Sequence, residues 1–306
     1  MNQIPRIVVT GLTGQVVQSL IEQGKGRSDL EVIPLGRPQL DLKDPSRIDG
    51  VIRAAAPNVI ISAAAYTAVD HAEADETSAY AINAVAPQEL ARVAKALNIP
   101  IIHLSTDYVF DGTKTAPYTE GDTVCPVNVY GKSKWEGERS VAAGTDNHVI
   151  LRTAWVYSPF GRNFVRTIIR NAESRTELPV VMDQTGNPTS ALDLTTAIIG
   201  IANNLLASDA QVLRGTFHLA GTGDASWADV AEKILALSPG LGGPSAKVKR
   251  ILTTDYPTAA ARPSNSRLNC SKIARHHGIS LPYWESSIEA TVRRVVQHRT
   301  DLGGTK

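Results

Sequence analysis

The chain has 306 residues with 31 basic against 30 acidic side chains, enough for one large domain or two modest ones around a buried core. Balanced charge without a long basic block argues against a nucleic-acid or anionic-membrane partner. No run approaches the roughly 18 apolar residues of a membrane span and no signal-peptide layout is present, so a cytoplasmic protein is expected.

Arg6 to Thr10 reads as a short apolar strand running into Gly11, and Val16, Val17, Leu20 and Ile21 then share one helical face. Glu31 to Leu35 is a second strand, weakened by Pro34. A helix follows over 46–56, then the strand Val59 to Ser62, then a long helix from Ser78 to Leu97. The apolar run from Ile101 ends in Ser105 and Thr106, and a helix carrying Tyr130 and Lys134 leads to the strand Val149 to Arg152. Such alternation predicts a parallel sheet of βαβ units, a Rossmann-type doubly wound α/β fold.

Beyond Arg152 the pattern loosens. Helices are expected over 164–172, 193–206, 226–237 and 284–298, with strands over 179–182 and 216–219. Residues 238–245 and 256–269 read as irregular, and the tail after Thr300 as frayed. This predicts a dinucleotide-binding domain over 1–150, with segments near 190–220 returning to it. A smaller, discontinuous substrate domain of mixed α/β structure fills 151–306.

Three features carry chemistry. Gly11 and Gly14 join the first strand to the first helix, where backbone amides can approach a pyrophosphate. The position that normally holds a third glycine is Val17, which is expected to loosen that site slightly. At the end of the second strand, Gly36-Arg37 replaces the acidic residue that would grip a ribose 2′-hydroxyl. Arg37 suits a 2′-phosphate, so NADPH is favoured, with NADH as a second possibility. Tyr130 and Lys134 lie four residues apart on one helical face, an arrangement in which an ammonium lowers a phenol's pKa for proton exchange with a carbonyl. The two cysteines, Cys125 and Cys270, give no disulfide framework or zinc site, and the seven histidines show no metal spacing, so no metal is expected.

These stretches, with Ala63 to Asp70, Ser105 to Gly112, Arg152 to Tyr157, Asp183 to Thr189 and Arg262 to Leu268, resemble the extended short-chain dehydrogenase/reductases. Within them the chain is most similar to the dTDP-4-dehydrorhamnose reductases, over nearly its whole length. The resemblance implies NADPH-dependent reduction of the C4 ketone of a dTDP-linked 4-keto-6-deoxy sugar to dTDP-L-rhamnose. It implies Thr106, Tyr130 and Lys134 as the catalytic set: Tyr130 gives the proton, Thr106 binds the same oxygen and Lys134 holds the nicotinamide ribose. It implies cofactor contacts from Gly11, Gly14, Gln15, Val16, Arg37, Asp41, Leu42, Leu104 and the run Ala63, Ala64, Ala65, Tyr66, Thr67. Substrate contacts would come from Thr106, Asp107, Trp155, Asn163, Asp183, Gln184, Pro188, Thr189, Arg262 and Asn265. Asn83 is a candidate either for a proton relay or for a side-chain-to-backbone bond.

Two other readings stay open at this point. One is a reductase of a different 4-keto-6-deoxy nucleotide sugar; the other is a catalytically silent, NADP-binding regulatory subunit. A small-molecule nucleotide-sugar partner is expected, with a homodimer possible and with neither nucleic acid nor membrane.

Overall fold

A computed structural model describes residues 4–303. Its centre is a six-stranded parallel sheet. Five strands come from the first half: β1 (Arg6–Thr10), β2 (Glu31–Leu35), β3 (Val59–Ser62), β4 (Ile101–Thr106) and β5 (His148–Thr153). The sixth, Gly215–His218, pairs with β5 and completes the order Gly215–His218, β5, β4, β3, β1, β2. The chain reverses its direction of growth between β1 and β3, which opens a crevice at the strands' carboxyl ends.

The near-continuous apolar strands are explained by helices on both faces. Helix α1 (Gln15–Gly24) and the helix Ala191–Ala207 cover one face, packing Leu20, Leu194, Ile198 and Ile201 on Val9 and Ile61. The other face packs Val8, Ile60 and Ile101 against Ile48 and Ile52 of α2 (Ile48–Ala54) and against Leu90, Val93 and Val141 of later helices. Pro34 is tolerated because β2 lies at the sheet edge, where one missing amide need not break a ladder.

Val17 follows from the same packing. Its side chain is 2% exposed and joins the core with Val9 and Leu20, so the bulk is absorbed by the interior.

A short helix α3 (Val69–Ala72) comes first, and the long helix expected over 78–97 is divided into α4 (Glu76–Tyr80), a π-turn over Ala81–Val85, and α5 (Ala86–Leu97). Pro87 supplies the reason: it has no amide to donate to the carbonyl of Asn83 one turn back. That carbonyl instead faces Gly137 of α6 (Val129–Gly144), where a Cβ would come within 2.0 Å of it. The π-turn and the glycine together let α6 lie close against this segment.

After β5 a second core forms from Val165, Ile169, Val230, Ile234, Trp284, Ile288 and Val292. The strand expected over 179–182 is Glu177–Val181, and it pairs with Lys247–Ile251, a strand whose charged, largely exposed face hid it in the sequence. The helix Ser271–His277 was likewise not expected within its loop-like surroundings. The helix from Trp284 continues to Gly303, so the part of the expected frayed tail from 301 to 303 is helical and the remainder lies outside the described residues.

Replacing Val17 by glycine removes a fully buried side chain and adds backbone freedom inside a helix. Chemical denaturation of Val17→Gly should show a loss of about 2–5 kcal/mol.

Candidate active site

A cleft of about 910 Å³ runs along the carboxyl ends of β1, β2, β3 and β4. Thr10 closes β1 with a hydroxyl that accepts from the amides of Ala63 and Ala64, each at 3.0 Å, so the turns after β1 and β3 are tied together. Gly11 has φ +104°, and a Cβ there would meet Val17 at 3.2 Å and Ala64 at 3.3 Å. Gly14 opens α1 without a side-chain cap. The first-turn amides are therefore left for an anion in the cleft. Gln15 spans the cleft instead of folding over it: its Nε2 donates to the Val156 carbonyl at 3.2 Å and its Oε1 accepts from Ser158 at 3.0 Å. A glycine turn, uncapped helix amides and exposed Arg37 beside Gly36 make a cradle that fits a phosphorylated dinucleotide.

Thr106 ends β4 and Tyr130 opens the first turn of α6. Asn128 sets that turn as N-cap, accepting from the Gly131 amide at 2.7 Å and donating to the Ala261 carbonyl at 2.8 Å. The α6 start also presses on the loop after β4, since a Cβ at Gly131 would lie 2.2 Å from the Tyr108 carbonyl. Tyr130 packs edge-to-face on Tyr108 with centroids 5.8 Å apart. Lys134, 3% exposed, donates to the Leu104 carbonyl at 2.6 Å and lies 3.4 Å from His103 Nε2.

The electrostatics correct one expectation. Burial pushes the Tyr130 phenol up to about 12, the Thr106 hydroxyl bonded to it pulls it back, and the Asp107 carboxylate adds to the rise. The Lys134 ammonium is turned to the strand, where it donates to the Leu104 carbonyl. Burial also draws Lys134 down to about 8, opposed by Glu138, and holds His103 well below the ordinary imidazole range. Asp107 is raised to about 6, again by burial, with the Ser266 and Thr106 hydroxyls pulling back. The Thr106 hydroxyl donates to Asp107 Oδ1 at 3.0 Å, while Oδ2 is buried with no hydrogen bond formed among the described residues.

Thr106, Asp107, Tyr130, Lys134 and Trp155 meet in the cleft with Gly11, Gly14, Gln15, Val16, Arg37, Asp41, Leu42, Ala63, Ala64, Ala65, Thr67 and Leu104. Tyr66 does not line it; its amide and carbonyl are both held by the Asn83 side chain, at 2.8 and 3.1 Å. Asn83 thus takes the side-chain-to-backbone role, with a further bond to Ser133 at 2.9 Å. Trp155 has φ +48° and stacks on Trp227 with centroids 3.6 Å apart, over Gly186, where a Cβ would strike the ring.

Seven further residues expected at the substrate are not among those lining this cleft, and each makes contacts within the protein. Arg262 forms a two-pronged pair with Asp70 at 3.0 and 2.6 Å. Asp183 accepts from Thr253, which also receives the Gln184 amide. Asn163 caps the helix Phe164–Ala172. Thr189 bonds Asn187 and Gly221, the Pro188 carbonyl packs against Gly221, and Asn265 donates to the Lys114 and Ala116 carbonyls. Residues lining the cleft that the sequence reading did not single out include Lys43, Ile82, Thr153, Gly161 and Arg162. Lys43 directly follows Asp41-Leu42 and was within reach of the sequence. Gly161 and Arg162 arrive through tertiary folding; a Cβ at Gly161 would lie 3.6 Å from the Thr13 carbonyl.

Asp107 carries a stability signature. Its folded value of about 6 exceeds the unfolded value near about 3.9, so the folded state binds the extra proton and stability is lost as pH rises through that window. Asp107→Asn should therefore be more stable than the parent by about 1–3 kcal/mol at pH 8, with the gain vanishing near pH 4, as read by denaturation at both pH values.

The chain matches the RmlD substrate binding domain family over residues 5–297. A dTDP-4-dehydrorhamnose reductase of Sinorhizobium fredii is 49% identical over 94% of this chain and 96% of its own length. One from Aggregatibacter actinomycetemcomitans is 40% identical over 93% and 97%. The crystal structure of the Clostridium acetobutylicum dTDP-4-dehydrorhamnose reductase superposes with a TM-score of 0.87 at 37% identity, covering 94% of this chain and 98% of that one. The Bacillus anthracis dTDP-4-dehydrorhamnose reductase, solved in complex with NADP, gives 0.87 at 33% identity over 94% and 99%. On its strand-end cleft, its Thr-Tyr-Lys set and these full-length matches, the chain belongs to the dTDP-4-dehydrorhamnose reductase family.

Proposed function

We propose that this protein is an NADPH-dependent reductase of the C4 ketone of dTDP-4-dehydro-L-rhamnose, forming dTDP-L-rhamnose. The observation that carries the reading is the convergence of Thr106, Tyr130 and Lys134 at one end of a cleft whose other end is a glycine turn and an uncapped helix terminus. A silent regulatory subunit has no physical need for a buried phenol and ammonium there. The first 150 residues plus the segment near 190–220 would form the cofactor part, and most of the remainder the sugar-nucleotide part. Cytosolic action fits the balanced charge, and among the described residues no helix is long and apolar enough to cross a membrane.

Gly11, Gly14 and the α1 amides would hold the cofactor pyrophosphate, Arg37 its 2′-phosphate, and Lys134 the nicotinamide ribose hydroxyls. The bound cofactor supplies the hydride equivalent for C4. Tyr130 supplies the proton to the developing alkoxide. Burial holds the phenol in its protonated form at neutral pH, so Tyr130 carries the proton that the developing alkoxide takes up. Thr106 hydrogen-bonds the same oxygen and fixes the angle of the phenol. Asp107, with one oxygen committed to Thr106 and the other unbonded, is placed to meet a sugar hydroxyl. Trp155, which lines the cleft and is backed by the stacked Trp227, would wall the sugar side and keep water from the reacting carbon.

The test is NADPH consumption, followed at 340 nm, with a freshly generated dTDP-linked 4-keto sugar beside GDP- and UDP-linked counterparts. Turnover of the dTDP-linked compound is expected, and Tyr130→Phe should lower kcat by at least about 100-fold while NADPH still binds. Turnover of a GDP- or UDP-linked substrate alone would replace the proposed substrate. Unchanged turnover in Tyr130→Phe would remove the mechanism.

A further inference from the structure

We propose that Glu138 is a positioning residue for this reduction: it locks β4, which carries Thr106, and α6, which carries Tyr130 and Lys134, to β5 in one register and sets a carboxylate one helical turn from Lys134. The proposal rests on the role given to Lys134 above.

Glu138 is 1% exposed and lies one helical turn after Lys134 and two after Tyr130, on the same face of α6. Its Oε1 accepts from the Ser105 hydroxyl at 2.5 Å, and Ser105 immediately precedes Thr106 on β4. Arg152 of β5 donates to it from Nε at 3.0 and 3.2 Å and from Nη2 at 2.7 Å, and Arg152 immediately precedes the cleft residue Thr153. One carboxylate therefore joins β4, β5 and α6 directly beneath the reacting groups. The Arg152 guanidinium is itself clamped between the Phe110 ring at 5.1 Å and the Trp135 ring at 5.8 Å, and its Nη1 has no hydrogen-bond partner among the described residues.

Stability does not account for this arrangement. A buried ion pair is typically no more stabilising than apolar residues of similar volume, because both charges must be stripped of water. Its consequence is felt at Lys134. That ammonium is faced from β4 by the Leu104 carbonyl and by His103, which burial keeps neutral. Along α6 it has Tyr130 on one side and Glu138 on the other, and Arg152 of β5 stands behind Glu138. Asp107 lies on the far side of Tyr130 and acts on that phenol. Burial favours loss of the lysine's proton, and Glu138 is the group that opposes it. A neutral lysine would hold ribose hydroxyls more weakly and lose its positive field at the reacting end of the cleft.

The test uses the full-length double variant Glu138→Leu/Arg152→Met, which removes both charges at similar volume. Lys134 is titrated by NMR of 13C-labelled lysine, its signal assigned by loss in Lys134→Met, and kcat is measured across pH. The expected result is a melting temperature near the parent's, with the Lys134 midpoint and the alkaline limb of kcat both moved about one unit or more to lower pH. Should the double variant not fold, Glu138→Gln, which keeps the shape and removes the charge, should move both the same way. A folded variant whose Lys134 midpoint and pH profile match the parent's overturns the proposal, even if its melting temperature falls. Failure of the parent to reduce the dTDP-linked sugar would sink the functional reading alone, since the lysine titration still decides the part of Glu138.

Discussion

A buried ammonium is the constraint on which the catalytic end of this molecule depends. Lys134 is almost fully removed from water, a state that is costly for a charge unless it is paired and hydrogen-bonded. The fold meets that need with one short bond to the Leu104 carbonyl and with a carboxylate one turn away. Leu104 belongs to the strand that ends in Thr106, and Lys134 to the helix that begins beside Tyr130. The bond that keeps the charge inside also sets the distance between the hydroxyl and the phenol. Shifting α6 by one residue along β4 would break both at once.

The approach of α6 is made possible by backbone chemistry elsewhere. Pro87 denies Asn83 its regular helical bond, the chain widens into a π-turn, and the freed carbonyl lies where Gly137 has no side chain. The Asn83 side chain meanwhile fastens the turn that carries Tyr66, so the loop after β3 is held to the same helix through Ser133. At the helix start Asn128 and Gly131 set the entry angle. The π-turn, whose Ile82 lines the cleft, and the precise setting of the phenol are parts of one packing problem. This rigidity suits a reaction in which a proton donor must be aligned before the carbonyl is reduced.

The parallel sheet, the glycine turn and the Thr-Tyr-Lys set were legible because each is written in local pattern: apolar runs of strand length, a turn at a helix start, and a four-residue spacing. The family resemblance added the substrate class, which spacing alone left open. Local pattern could not show that burial would outweigh Lys134 in setting the Tyr130 phenol, since burial is a property of the folded interior. Nor could it show which partners the polar groups of the later loops find within the protein. Arg262 looks like a phosphate ligand in sequence, yet Asp70, nearly two hundred residues earlier, takes both of its prongs. Asp183, Gln184 and Asn265 likewise spend their bonding groups on neighbouring loops. Arg162 shows the reverse case, an ordinary surface arginine in sequence that folding brings to the cleft wall beside the glycine turn.

Because the account turns on a charged Lys134, the measurement that tests it most directly is the pH dependence of kcat for the parent and for Lys134→Met. A lysine drawn down to about 8 by burial loses its proton as pH rises through that value, so parent turnover should fall along an alkaline limb there. In Lys134→Met the residual turnover should be low and should lack that limb. An alkaline limb that persists unchanged in Lys134→Met would contradict the account.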